Sequence, residues 1–397
     1  MTERRVYMDC HATTPVDPRV AETMWPYFTE RFGNPGSVSH SFGHEAKEAV
    51  DQARASIARA IGAQPREIVF TSGATESNNL ALRGVAERPR RKGNHFVSVR
   101  TEHPSVLDPL EHLARHGFRL TLLDVEQPPS PQAGRLDPAR VAEAIAHDTL
   151  LVSVMLANNE IGVIQPLAEI AAICRAKGVL LHCDATQAVG KLPVDVAALG
   201  VDLLSFTAHK IYGPKGVGAL YVRRSSPAVR LEPQIFGGGQ EAGFRSGTLN
   251  VPGIVGLARA LELCQAEMAT EIPRLSALRK ELFERLTGAL EGVSLNGPAL
   301  DRPELRLAGN LNLSFAWVDG EALLMAMRNL AVSSGSACTS ADPKPSHVLR
   351  ALGQNDDQAR ASLRFGLGRF NTADDVAFAA QAVEEAVRRL RRLSSMA

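Results

Sequence analysis

At 397 residues the chain is longer than one ordinary hydrophobic core supports, so a large domain with a smaller companion is expected. Lys plus Arg (44) nearly balance Asp plus Glu (43), and the formal charge of +1 excludes a blanket attraction to nucleic acid or anionic lipid. Aromatics make up 5% and hydrophobic residues 45%, a composition that suits helix-rich α/β packing around a small-ligand site and excludes a disordered chain.

The opening MTERRVYMDCHATTP has no apolar stretch after its charges, and no run of about 18 apolar residues occurs anywhere. A cytoplasmic protein is therefore expected. HEAKEAVDQARASIARAIG carries apolar residues at helical spacing and stops at Gly62. From there short apolar runs alternate with helical patterns: EIVFTS, NHFVSVR, RLTLLDV, TLLVSVML, GVLLHCD, VDLLSFT and VGALYV read as seven strands. That alternation predicts βαβ units around a mostly parallel seven-stranded sheet. EQPPSPQAGRLDP, with four prolines, reads as a surface loop. After about Val255 comes a long charged amphipathic helix in which Pro273 is a candidate kink, then strand-like NLNLSFAWV, the loop SSGSACTSADPKPS and a closing helix ending in VEEAVRRLRRLSS. The expected division is a large domain over 16–255 and a smaller α+β domain made of 1–15 with 256–397.

Cys10, Cys174, Cys183, Cys264 and Cys338 are an odd number without framework spacing or a CxxC pair, which fits free thiols in a reducing compartment. Cys174 and Cys183 lie in apolar helix and strand patterns and read as core. His40 with His44, and Cys10 with His11, supply two ligands each, too few for a metal site.

Three segments carry cofactor chemistry in order along the chain. FTSGATESNN breaks a strand at Ser72 and Gly73 before a helix, so the backbone N–H groups near Ala74 and Thr75 can bind a phosphate; an N-cap alone would use the same residues. In LLHCDATQ, Asp184 follows a buried strand and suits a carboxylate against a pyridinium nitrogen, or a helix cap, while Gln187 and Asn159 in LANNEIG can reach a phenolate oxygen. SFTAHK runs a strand into a polar turn ending in Lys210, the place for a Schiff-base amine at the carboxyl edge of a sheet. Thr207, His209 and Thr248 are further phosphate candidates. His103 in TEHPSVL is placed to stack on a cofactor ring with a titratable group beside the substrate.

Together TSGATES, TEH, NNEIG, HCDATQAVGK, HKIYGPKG, RSGTLN and SSGSACTSA closely resemble the cysteine desulfurases of the NifS/IscS kind, over almost the whole chain. The resemblance implies the large pyridoxal-phosphate (PLP)-dependent transferase fold shared with class V aminotransferases (fold type I), and a homodimer. It implies Lys210 bonded to the cofactor, Asp184 on the pyridine nitrogen, Gln187 and Asn159 near the phenolate oxygen, and His103 on the ring. Phosphate would be held by Ala74, Thr75, Thr207, His209 and, from a partner subunit, Thr248. Thr207-Ala208 replaces the commoner Ser-Gly before His-Lys and keeps a hydroxyl.

Cys338 narrows the reaction. It lies in a Ser/Gly-rich loop where a thiol gains nothing from packing, and as a thiolate it can attack substrate sulfur and carry a persulfide to an acceptor. The expected activity is sulfur removal from L-cysteine, giving L-alanine and a persulfide for iron–sulfur cluster assembly or for cofactor and tRNA thiolation. Lys210 removes the Cα proton, His103 shuttles protons, and Asn34 with Arg364 holds the substrate carboxylate, Arg364 as a bidentate partner. An iron–sulfur ligand role for Cys338 would be incidental. Only Ser395, Met396 and Ala397 follow the RRLRRLS helix, which leaves docking of an iron–sulfur scaffold open: the acceptor would be such a scaffold bound differently or another protein. The rival readings are a selenocysteine lyase and a class V aminotransferase, both using Lys210 and Asp184; a persulfide relay without PLP chemistry would not need those residues.

Overall fold

The computed structural model describes residues 4–89, 93–334 and 345–394. In chain order its strands are β1 (Val6–Tyr7), β2 (Ile68–Thr71), β3 (His95–Val99), β4 (Arg119–Leu123), β5 (Thr149–Ser153) and β6 (Leu180–Asp184). They continue with β7 (Leu203–Thr207), β8 (Gly218–Val222), β9 (Val293–Leu295), β10 (Asn310–Phe315), β11 (Leu330–Ala331) and β12 (Ser362–Gly366).

The seven apolar runs read from the sequence form one sheet in the order β2-β8-β7-β6-β5-β3-β4. β3 to β7 run parallel, and β8 lies antiparallel between β7 and β2. Such strands are apolar on both faces because helices cover both sides. Alternate residues accordingly enter the two layers of the sheet core: Val97, Val152, Leu181 and Leu204 join one, while Phe96, Leu151 and Leu203 join the other. Because β8 is reversed relative to both neighbours, β2 points the same way as β3 to β7. The chain leaving all six strands therefore emerges at one carboxyl edge, where ligands bind in open α/β sheets.

A second core is built on the antiparallel sheet β12-β10-β9, with β1 and β11 paired nearby. Leu311, Leu313, Phe315, Leu363 and Phe365 meet Val383 and Val387 of the closing helix Ala373–Ser394. Val6 and Met8, from the start of the chain, also belong to this core. The helix Val251–Ala289 joins the two cores: Ile254, Leu257 and Leu261 pack into the sheet core, and Leu278, Leu282 and Leu286 into the second. It continues through Pro273, which is exposed. At the junction Arg369 pairs with Asp17 at 2.6 Å and Glu267 at 2.9 Å, and Arg19 bridges the same two carboxylates. Among the described residues no helix is long and apolar enough to cross a membrane.

Candidate active site

At the carboxyl edge a cavity of about 590 Å³ is lined by residues that follow β2, β5, β6 and β7, together with His11 to Thr13, His103 and Arg364. Of the residues singled out from the sequence, Ala74, Thr75, His103, Asn159, Asp184, Gln187, Thr207, His209, Lys210 and Arg364 line it. Asn34 and Thr248 are exposed and do not. Cys338 lies outside the described residues.

β2 ends at Thr71 and the chain turns through Gly73, whose φ of +155° favours glycine, so that the helix Ala74–Ala86 begins with no side-chain cap. Its first N–H groups, which have no partner within a helix, consequently face the cavity as a donor cluster with a partial positive charge. The close approach depends on Gly218 in β8: a Cβ there would stand 2.7 Å from Gly73 Cα and 2.6 Å from Phe206 O. The Thr207 hydroxyl donates to Val217 O at 3.0 Å, so it can offer a phosphate only a weak contact. His209 Nδ1 sits 3.1 Å from Thr13 Oγ1. Burial first, then the charges of Lys210 and Lys215, push the His209 imidazole down to about 4, so it is neutral near pH 7.

Asp184, at the end of β6, is 5% exposed. Asn78 Nδ2 donates to its Oδ2 at 2.8 Å and the Thr186 N–H donates to its Oδ1 at 2.9 Å. These bonds stabilise the carboxylate and fix its direction. His103 caps the helix Pro104–Arg115, accepting the Ser105 N–H on Nδ1 at 3.1 Å, which leaves Nε2 to carry the proton of the neutral ring. Burial lowers its proton affinity, opposed by Asp184 and assisted by Lys210.

Lys210 Nζ donates to the carbonyls of His11, at 2.7 Å, and Ala12. Arg364 in β12 is 3% exposed; its Nη2 pairs with Asp9 at 2.8 Å and its Nη1 donates to Asn159 O at 3.2 Å. The buried Arg364 Nε has no hydrogen-bond partner among the described residues. A buried, oriented guanidinium with a spare donor is suited to a carboxylate ligand.

The sequence reading missed Asp9 and His11, which the N-terminal segment carries under the cavity, and Lys191, which donates to Gln187 Oε1 at 2.7 Å. DCHATTP and HCDATQAVGK contain all three, but nothing local shows that they meet. The histidines considered for metal do other work: His40 accepts from Gly43 N as a helix cap, and His44 Nε2 lies 2.9 Å from Val38 O. Cys10, Cys174, Cys183 and Cys264 are all buried free thiols.

A family model described as aminotransferase class-V matches residues 6–378. Among curated relatives, a protein named cysteine desulfurase IscS from Anaeromyxobacter dehalogenans is 56% identical over 98% of this chain and 94% of its own. A solved structure titled NifS-like protein superposes with a TM-score of 0.88 at 37% identity, covering 97% of this chain and all of that one. Another, titled SspA in complex with cysteine, gives a TM-score of 0.79 at 36% identity and covers 92% of this chain and all of the other.

Proposed function

Because this chain belongs to the class-V aminotransferase family, we propose that it is a PLP-dependent cysteine desulfurase acting on L-cysteine. The observation that carries the reading is the convergence of a lysine amine, a buried carboxylate and an uncapped helix N-terminus on one cavity. These groups fit PLP. Ala74 and Thr75 at the helix start, with neutral His209, would hold its phosphate. Asp184 would face its ring nitrogen, Gln187 and Asn159 its phenolate oxygen, and Lys210 would hold it covalently. His103 would lie on the ring. When bound, the cofactor supplies an electron sink for negative charge developing on the substrate Cα.

The chain's own groups carry the remaining steps. Arg364, held by Asp9, orients the substrate carboxylate through Nε. Lys210 Nζ takes the Cα proton, and the neutral His103 imidazole exchanges protons with the substrate through Nε2. Cys338 Sγ, as a thiolate, attacks the substrate sulfur; the new S–S bond forms as the Cβ–S bond breaks, its electron pair remaining with carbon. Alanine leaves and the persulfide passes to a protein acceptor, for iron–sulfur cluster assembly or thiolation of tRNA or cofactors.

The active form is a homodimer. Trp25, Phe28, Phe32, Phe42 and Phe236 are 65%, 55%, 65%, 48% and 76% exposed, a load of large apolar surface that a second copy would cover. Thr248, exposed and away from this chain's cavity, would complete the phosphate site of the partner.

The test is to compare Cys338→Ala and Lys210→Ala with the parent enzyme. Cys338→Ala should keep the visible cofactor absorbance and lose sulfide release from cysteine; Lys210→Ala should lose the absorbance of the lysine-bound cofactor. Undiminished turnover in Cys338→Ala would favour an aminotransferase or a lyase that does not use this thiol.

A further inference from the structure

A second half-buried lysine stands behind the cavity and is joined to it by a short chain of hydrogen bonds. Lys191 Nζ donates to Gln187 Oε1 at 2.7 Å. The same oxygen lies 2.9 Å from His11 Nδ1, and Gln187 Nε2 donates to His11 O at 2.9 Å. That carbonyl also accepts Lys210 Nζ at 2.7 Å. Lys191, Gln187, the His11 carbonyl and Lys210 therefore form one continuous path.

The chemistry of the partners fixes the amide. An ammonium can only donate and a carbonyl can only accept, so Gln187 has its oxygen toward Lys191 and its nitrogen toward His11 O. One N–H of that nitrogen is used by His11 O, which leaves the other for the cleft that Gln187 lines. With Oε1 as the acceptor, His11 must carry its proton on Nδ1, and its buried Nε2 has no partner among the described residues.

We propose that Lys191 is a positioning residue for the desulfurase reaction, holding the Gln187 carboxamide in the orientation that presents an N–H to the cofactor oxygen. The proposal rests on the PLP reading given above. Lys191 also places charge at the foot of the path. The groups facing it are Lys210, Arg364, Cys10 and Cys264, with Glu271 and Arg369 lining the small cavity of about 50 Å³ that Lys191 shares with the two thiols. Burial, with Lys210 next in importance, draws its ammonium down to about 7, while burial keeps Cys10 and Cys264 as neutral thiols. Removing Lys191 takes away both the pin on Gln187 and a positive neighbour of Lys210. Both losses favour the protonated form of the lysine–cofactor linkage.

The experiment is a double-mutant cycle read by spectroscopy. Lys191→Met, Gln187→Leu and the double variant are loaded with PLP, and the pH midpoint of the visible absorbance is titrated for each beside the parent enzyme. Lys191→Met should raise the midpoint by about one unit, the size expected for one hydrogen bond to a charged group. In the Gln187→Leu background that increment should shrink to the part carried by the Lys191 charge alone, because the pin acts through the amide. An equal increment in both backgrounds, or no increment in the single variant, overturns the proposal. Apoprotein melting temperatures are recorded alongside: a lysine with a structural role alone would lower the melting temperature and leave the midpoint in place, and that outcome also overturns it. If Gln187→Leu binds PLP with an unchanged midpoint, it is the assignment of Gln187 to the phenolate oxygen that fails, separately from the role of Lys191.

Discussion

His182 is strung across the middle of the sheet, with Nδ1 2.8 Å from Ser153 Oγ in β5 and Nε2 3.1 Å from Ser205 Oγ in β7. Burial lowers its pKa to about 4, against a weaker opposing pull from Asp184. The unfolded chain, with an ordinary histidine near 6.5, thus binds more protons than the folded one between those values. The stability this neutral ring supports is present above about pH 6.5 and is lost as the pH falls toward 4, by up to about 3 kcal/mol. His182→Gln should flatten the fall of the urea midpoint between pH 6.5 and 4; an equally steep fall in the variant would remove His182 from the account. Residues such as Lys210, Asp184 and Thr75 were legible because each stands at a strand end or helix start that a few neighbouring letters define. Asp9, His11 and Lys191 were not. The Asp9–Arg364 pair joins residues 355 positions apart, and no local pattern records such a meeting. A histidine beside a cysteine reads equally as ligand or filler until the backbone carbonyl of His11 is seen to accept Lys210.

At the scale of elements, the proposed phosphate cradle depends on a strand that contributes no functional side chain. Gly218 of β8 pairs with Thr207 of β7 on one side and Thr71 of β2 on the other, and its missing Cβ lets Gly73 approach. Gly218→Ala has backbone atoms on both sides of the added methyl, so the turn before Ala74 must shift. PLP affinity of the apoprotein, measured by absorbance titration, should weaken about tenfold or more, the consequence of a local displacement worth one to a few kcal/mol. Unchanged affinity would mean that the turn has slack that the contacts do not suggest. The inner strands were readable in the sequence because two-sided burial makes each a largely apolar run, unlike the part-exposed edge strand β4. The antiparallel placement of β8 was not, since an apolar run carries no mark of direction and only the short connection from β7 reverses it. The cradle could be located from FTSGATES, but its support by Gly218 is a packing relation between separate strands.

For the whole molecule the exposed aromatics and Thr248 make one joint prediction. Phe28→Asp with Phe32→Asp should shift the protein toward monomer in sedimentation velocity, and the monomer should bind PLP more weakly because the phosphate site lacks the partner's contribution. A dimer that persists undisturbed would place the interface elsewhere; a monomer with full affinity would dismiss Thr248 as a ligand. Composition and alternation led to the expectation of two domains, the smaller one including residues 1–15, and Val6 and Met8 do lie in the core beside β12. The 39-residue helix Val251–Ala289 has its N-terminal half embedded in one core and its C-terminal half in the other. A single rod anchored at both ends makes a poor pivot. Lys210, just after β7, and Arg364, on the smaller sheet, are therefore framed by two cores that one unbroken helix ties together. A cleft framed in this way is expected to sort amino-acid substrates by size as well as by chemistry.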